Sequence, residues 1–156
     1  MAKTIEQISK TAVFPSKNTR VASRALIFKD NKILLSYEKN NDVYMTPGGG
    51  TEKNETPQEC CAREVQEETG YKINVEEFLY TVNEYVYSDL FICNYFKCKI
   101  IGECENSLTE LEISRGLEPR WVDINEAINI FSQYEKYTPN TESLYLREYT
   151  ILKDLF

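Results

Sequence analysis

The sequence predicts a mixed α/β fold in which helices cover a sheet that is mostly antiparallel or mixed. Three observations lead there. The chain has 156 residues, 42% hydrophobic and 28% charged, the composition of one globular core. Stretches of strand period, such as Leu90, Ile92, Phe96, Cys98 and Ile100, share the chain with capped segments of helical period. Strands and helices follow one another irregularly, without an internal repeat or a low-complexity tract.

Residues 1–19 are polar, hold one proline (Pro15) and read as an N-terminal extension ahead of a single domain spanning 20–156. Strand signals begin at Ser23. Ala25-Leu26-Ile27-Phe28 and Ile33-Leu34-Leu35 flank Asp30-Asn31, a pair suited to a two-residue hairpin turn. Asn40-Asn41-Asp42 breaks the chain before a short strand, Val43 to Thr46, and Pro47-Gly48-Gly49-Gly50 is predicted to be a loop. Thr56-Pro57-Gln58-Glu59 is a capping box with proline at the first helical position, and Gly70 stands where a helix stops. This predicts a helix from Pro57 to Thr69. Phe78 to Tyr87 and Leu90 to Ile101 read as long strands joined at Ser88-Asp89. An acid-rich loop, Glu103 to Glu118, precedes a short strand through Arg120-Trp121-Val122. Asp123-Ile124-Asn125-Glu126 is a second capping box, with Ile124, Ile128 and Phe131 on one helix face. A last helix starts at Thr141 and carries Leu144, Ile151 and Leu155 on one side.

Charge and composition exclude several chemistries. Eighteen basic against 25 acidic residues give a net charge of −7. A chain this acidic does not hold a nucleic-acid backbone by general electrostatics, and a polyphosphate substrate needs a bridging cation. There is no histidine, so Ser-His-Asp and Cys-His catalysis and the usual histidine-bearing zinc sites are excluded. Acid–base work falls to carboxylates, and glutamate supplies 20 of the 25 acids. The five cysteines (Cys60, Cys61, Cys93, Cys98, Cys104) are odd in number and form no C-x-x-C. They read as reduced thiols of a cytoplasmic protein, most of them small core residues. No apolar run reaches the ~18 residues of a membrane span, and the N-terminus lacks a hydrophobic signal core, so neither a span nor Sec-type export is expected.

The chemistry concentrates in the first predicted helix. Glu64, Glu67 and Glu68 stand at i, i+3 and i+4 and project from one face. Such a run alone is either a solvated acidic face or a site for a hard divalent cation. Mg²⁺ takes oxygen ligands and keeps waters, which leaves room for phosphate. The surrounding spacing favours the cation. Gly49, five residues, Glu55, seven residues, then Arg63-Glu64-Val65-Gln66-Glu67-Glu68-Thr69-Gly70-Tyr71 fits G-x5-E-x7-R-E-U-x-E-E-x-G-U, with U a bulky apolar residue. This resembles the Nudix hydrolases, the MutT-like proteins. All seven fixed positions are present, and the one departure is Tyr71, where an aliphatic residue is more usual and only packing is affected. Weaker echoes, the hairpin before Pro47-Gly48-Gly49 and Arg120-Trp121-Val122 leading into a helix, extend the resemblance from about Ser23 to Phe131.

The resemblance implies an α/β/α sandwich and a Mg²⁺- or Mn²⁺-dependent hydrolase. It would cleave a phosphoanhydride bond in a nucleoside diphosphate derivative or a nucleoside triphosphate. It also implies roles. The Gly48 carbonyl is a metal ligand, Glu67 and Glu68 are the main side-chain ligands, and Glu64 is a third ligand or the general base. Arg63 pairs with a box glutamate to hold its rotamer, and Glu55 is structural or supports the site from behind. Gly48, Gly49 and Gly50 let the backbone turn tightly and bring bare peptide groups near a ligand. Similar proteins recruit a further acid from the loop before the last strand, which makes Glu110, Glu112 and Glu118 candidates for the base. The implied partner is a small nucleotide, with no nucleic acid and no membrane, and the chain is a monomer or homodimer. Arg24 and Tyr44 are candidates for contacting phosphate or stacking on a base. Tyr87 lies 16 residues past Tyr71, where dinucleoside polyphosphate hydrolases often carry tyrosine. The proline that ADP-ribose hydrolases tend to have near there is absent. The alternative is a catalytically silent module that senses or binds a metabolite. Such modules commonly lose box glutamates, and none is lost here.

Overall fold

Alternation along each strand decides which layer receives a side chain. The computed structural model describes residues 1–156. In chain order the elements are β1 (Lys3–Ile8), β2 (Asn18–Leu26), β3 (Phe28–Lys29), β4 (Lys32–Glu38), β5 (Val43–Met45), β6 (Gly48–Gly50), α1 (Pro57–Thr69), β7 (Tyr71–Val86), β8 (Asp89–Glu103), α2 (Glu110–Arg115), β9 (Leu117–Asp123), α3 (Ile124–Phe131) and α4 (Pro139–Leu155). A five-stranded sheet runs β1-β7-β8-β2-β6, parallel at β1/β7 and β2/β8 and antiparallel elsewhere. A second, wholly antiparallel sheet has β4 at its centre, paired with β3, β5 and β9.

Helices lie on both faces. Ala25 of β2, Ile27 just beyond its end, Leu34 of β4 and Phe96 of β8 meet Cys61 and Val65 of α1 in one buried cluster. Ala22, Leu26, Ile33, Leu35, Val82 and Tyr95 turn the other way, onto Ala127 and Phe131 of α3 and Tyr145, Ile151 and Leu152 of α4. Each fully buried aliphatic side chain contributes about 2 kcal/mol through removal from water. The predicted α/β/α sandwich with a mixed, largely antiparallel β layer is the observed one, with that layer divided into two sheets. All five cysteines are free, and four of them are buried. No helix is long and apolar enough to cross a membrane.

Several expectations change in detail. Residues 1–19, read as an extension, contribute β1, an edge strand whose Gln7 is buried and donates to the Ser143 carbonyl of α4 at 2.8 Å. Gly48–Gly50, expected as a loop, is a short strand paired antiparallel with β2. Its glycines are required by close approach rather than by a turn. A Cβ on Gly48 would overlap the Ser23 carbonyl, and only Gly70 and Gly116 among the glycines have positive φ. The first long hairpin strand starts well before Phe78 and ends at Val86, one residue short of Tyr87 (Tyr71–Val86), while the second extends beyond both predicted ends (Asp89–Glu103). The acid-rich loop contains α2, opened by a reciprocal Thr109–Glu112 capping box. The last helix begins at Pro139, two residues before Thr141.

Candidate active site

α1 is fixed at both ends by local chemistry. The Thr56 hydroxyl accepts from Glu59 N at 3.1 Å, and Glu59 accepts in return from Thr56 N at 3.0 Å. Gly70 closes the helix at φ 77° and donates to the Gln66 carbonyl, in a place where a Cβ would run into the Cys104 carbonyl. Held this way, the helix turns its glutamates toward β6. A Cβ on Gly49 would overlap the Glu64 carboxylate, so glycine there is what lets helix and strand approach.

The box carboxylates occupy different environments. Glu68 is 5% exposed and accepts from Gly48 N at 2.9 Å and from Ser36 Oγ at 3.3 Å. Burial pushes its carboxyl up to about 8. Glu64 is half-buried and also shifted upward, first by burial, although Arg63 Nη1 donates to it at 2.9 Å. Glu67 is the most open of the three and accepts from the same nitrogen at 3.1 Å. Arg63 is the hub. Its Nε and Nη2 fork onto Glu55 at 2.6 and 3.0 Å, and Nη2 also donates to the Gly50 carbonyl at 3.1 Å. That fork holds the Glu55 carboxyl down at about 2. The expected pairing of Arg63 with a box glutamate is therefore present three times over, with Glu55, Glu64 and Glu67.

As they stand, the carboxylates are not gathered into a ready cluster of three around one point. Glu68 turns inward to Gly48, while Glu64 and Glu67 share Arg63. The donor set nevertheless fits a hard divalent ion, since it is all oxygen and carries more negative than positive charge. A buried carboxyl held as high as Glu68 marks a place where added positive charge is favoured.

The other candidates separate. Among the loop acids, Glu112 is N3 of α2, and its charge reaches Glu64 and Glu68, adding to the upward shift of both. Glu110 is exposed at the start of α2, and Glu118 on β9 pairs with Arg120 at 3.0 Å. Arg24, on β2, donates to the Thr46 carbonyl at 2.6 Å and lines a cavity beside α4. Tyr44 does not face the box. Its ring packs on Tyr37, centroids 4.3 Å apart, and against the core beneath α3 and α4. Tyr87 is exposed at the β7–β8 turn, where its positive φ of 51° and its bond to Thr11 give it a structural place. Sequence reading missed Ser36, Arg20 and the buried group Glu84, Arg147 and Glu148. For the last of these a signal existed, because Arg147 and Glu148 interrupt the apolar side of α4 between Leu144 and Ile151.

The profile of the NUDIX domain matches residues 18–145. A MutT-like protein of Streptomyces ambofaciens is 28% identical over 108 residues, 69% of each chain. An ADP-ribose pyrophosphatase of Methanocaldococcus jannaschii is 45% identical over 62 residues, a match spanning 38% of this chain and only 37% of that relative. Among solved structures, a NUDIX hydrolase from Nitrosomonas europaea superposes with TM-score 0.64 at 22% identity, covering 88% of this chain and 95% of that one. A UDP-X diphosphatase superposes with TM-score 0.62 at 20% identity, covering 93% and 66%. At such identities the structural likeness speaks for the fold.

Proposed function

The chain belongs to the NUDIX family, whose hydrolases act on pyrophosphate bonds, and from that premise we propose that it hydrolyses a phosphoanhydride with Mg²⁺ or Mn²⁺. The substrate class is a nucleoside diphosphate linked to another group, or a nucleoside triphosphate. The names of its relatives, an ADP-ribose pyrophosphatase and a UDP-X diphosphatase, support the first of these. The observation that carries the reading is the α1 face, where Glu64 and Glu68 stand against the bare backbone of β6, Glu67 lies open beside them, and Arg63 bridges Glu64 and Glu67.

Glu64, Glu67, Glu68 and the Gly48 carbonyl would hold the cation. When bound, it neutralises phosphate charge and acidifies water. The chain's own residues do the rest. Arg63 is fixed to Glu55 and so sets the rotamers of Glu64 and Glu67, the kind of support that keeps ligands oriented. A carboxylate must take the proton from the attacking water, because no histidine exists to do it. Glu64, on the box face, and Glu112, whose charge reaches it, are the acids that suit this role. Arg24 and Arg20 supply positive charge toward phosphate oxygens.

A panel of nucleoside triphosphates, nucleoside diphosphate sugars and dinucleotides, assayed for phosphate or nucleoside monophosphate release, tests this. Turnover of at least one member with Mg²⁺ or Mn²⁺, abolished by EDTA, is expected. Turnover that persists in excess chelator refutes the mechanism, and ligand binding without any turnover supports the silent-module alternative.

A further inference from the structure

On the α4 side of the five-stranded sheet, a cavity of about 270 Å³ opens between β2, the β7–β8 hairpin and α4. Alternation along β2 puts Arg20, Ala22 and Arg24 on that face, with the small alanine leaving room between two guanidiniums. Arg147, from α4, forms the floor and is 4% exposed. Its Nη1 donates to Glu84 and its Nη2 to Glu148. Ser143 Oγ donates to the other Glu84 oxygen at 2.6 Å, so both oxygens of that carboxylate are occupied. Asp89 also lines the cavity and accepts from Asn18 Nδ2 at 3.0 Å, and the buried side-chain atoms of the lining left without a partner are both cationic. Arg147 Nε and Arg24 Nε are buried without a partner. Arg20 and Arg24 enter none of the ion pairs of the chain, although acids outnumber bases in it by seven (25 − 18). Buried donors without acceptors are uncommon in folded proteins, and two guanidinium donors lining one cavity suit an anion as their acceptor.

We infer that this cavity binds a second anionic group of the substrate, a phosphate monoester or a carboxylate carried by the moiety remote from the cleaved anhydride. The inference rests on the hydrolase reading above and narrows its substrate class. Guanidinium groups match the oxygens of such groups. Phe91 is the only aromatic residue in the lining, so guanidinium groups rather than aromatic faces dominate it. The volume lies just below the ~300 Å³ at which whole-ligand pockets begin, which suits one moiety rather than an entire nucleotide. Arg20 also lines the neighbouring cavity beside Gly50, Glu55 and Glu64. A diphosphate lying at the α1 face can therefore pass Arg20 and deliver its far end to Arg24 and Arg147.

Two substrate pairs test this and separate the sources of the anion: NADH against NADPH for a phosphate monoester, and UDP-glucose against UDP-glucuronate for a carboxylate. In at least one pair the member with the extra anion should have a KM lower by roughly tenfold or more, the scale of one charge-assisted contact. Arg20→Gln, an exposed residue whose loss does not threaten folding, should bring that ratio toward one. A second readout needs no turnover. In EDTA, ribose 5-phosphate or glucuronate should raise the melting temperature of the parent more than ribose or glucose does, and less so for Arg20→Gln. Equal KM values within both pairs together with no anion-specific melting shift overturn the inference. If the panel gives no turnover but the anion-specific shift appears, the hydrolase reading fails and the cavity assignment stands.

Discussion

Arg63 on α1 and Arg147 on α4 each gather glutamates, yet one cluster lies partly open and the other is shut. The side chains of Arg63, Glu55, Glu64 and Glu67 are 22, 12, 15 and 39% exposed, and three carboxylates there share one guanidinium, against two in the α4 group. Those of Arg147, Glu84 and Glu148 are 5, 4 and 1% exposed, and Ser143 and Thr46 take up carboxylate oxygens as well. Buried ions are costly unless paired and hydrogen-bonded, which the α4 group achieves from within the chain except at Arg147 Nε and Glu148 Oε2. The α1 group keeps negative charge in reserve. One arrangement holds the fold, and the other waits for a cation.

The largest effect expected from this contrast is on Glu68. Glu68→Gln keeps the shape and an acceptor for the Gly48 N–H, so the chelated protein should melt no lower than the parent. Burial already disfavours the charged form. Activity should nonetheless fall about a thousandfold or more, ~4 kcal/mol in barrier, and Mg²⁺ should no longer raise the melting temperature. Thermal unfolding in EDTA and in Mg²⁺, beside turnover, measures both. A variant that melts clearly lower in EDTA yet still turns over substrate would sink the assignment of Glu68 as a metal ligand.

Arg147→Met should do the reverse. Removing the guanidinium strands Glu84 and Glu148 in the interior, at a cost of about 3–5 kcal/mol. For a chain of this size that is a fall in melting temperature on the order of 10 °C. Mg²⁺ should still raise the melting temperature of whatever protein folds. A drop of only a degree or two would show that the buried group is not the anchor described here.

What the sequence disclosed follows the same division. α1 was legible because its signals are local: the Thr56–Glu59 box, Pro57 and Gly70 all lie within or beside it. The α4 group was not, because Arg147 meets Glu84 across 63 positions of chain and only the folded sheet brings them together. Gly48–Gly50 concealed a strand for the same reason, since the Ser23 carbonyl that forbids a side chain belongs to β2. β1 was obscured by its polar Gln7, whose partner is on α4. α2 did have a local signal in Thr109 and Glu112, hidden among the neighbouring acids. Tyr87 illustrates the limit of a spacing argument, because a turn claims it, and Tyr44, a candidate from its neighbouring strand, is claimed by core packing.

A smaller effect separates charge from geometry at the open cluster. Arg63→Lys keeps the positive charge and loses the fork onto Glu55. Turnover should fall roughly 10–100-fold, as when a ligand's supporting partner is removed, with KM little changed and the melting temperature lower by about 2–4 °C. A loss confined to KM would mean instead that Arg63 meets substrate directly.

The smallest effect concerns acid stability. Arg63 holds the Glu55 carboxyl at about 2, below its unfolded value of 4.5. A carboxyl whose pKa is depressed by folding stabilises the native state above the unfolded pKa, and that contribution disappears as pH falls through the native one. Glu55→Gln should therefore be less stable than the parent at pH 7 by about 1 kcal/mol, a figure discounted for solvent access. The gap should close between pH 4.5 and 2. Glu84 is depressed as well, burial pushing it up and Arg147 with Ser143 overriding that, so the parent still loses stability in acid when Glu55 is gone. Denaturant unfolding of parent and variant at intervals from pH 7 to 2.5 gives the curve. A gap of the same size at pH 7 and pH 2.5 would mean that Glu55 acts through packing around Arg63 and not through its charge.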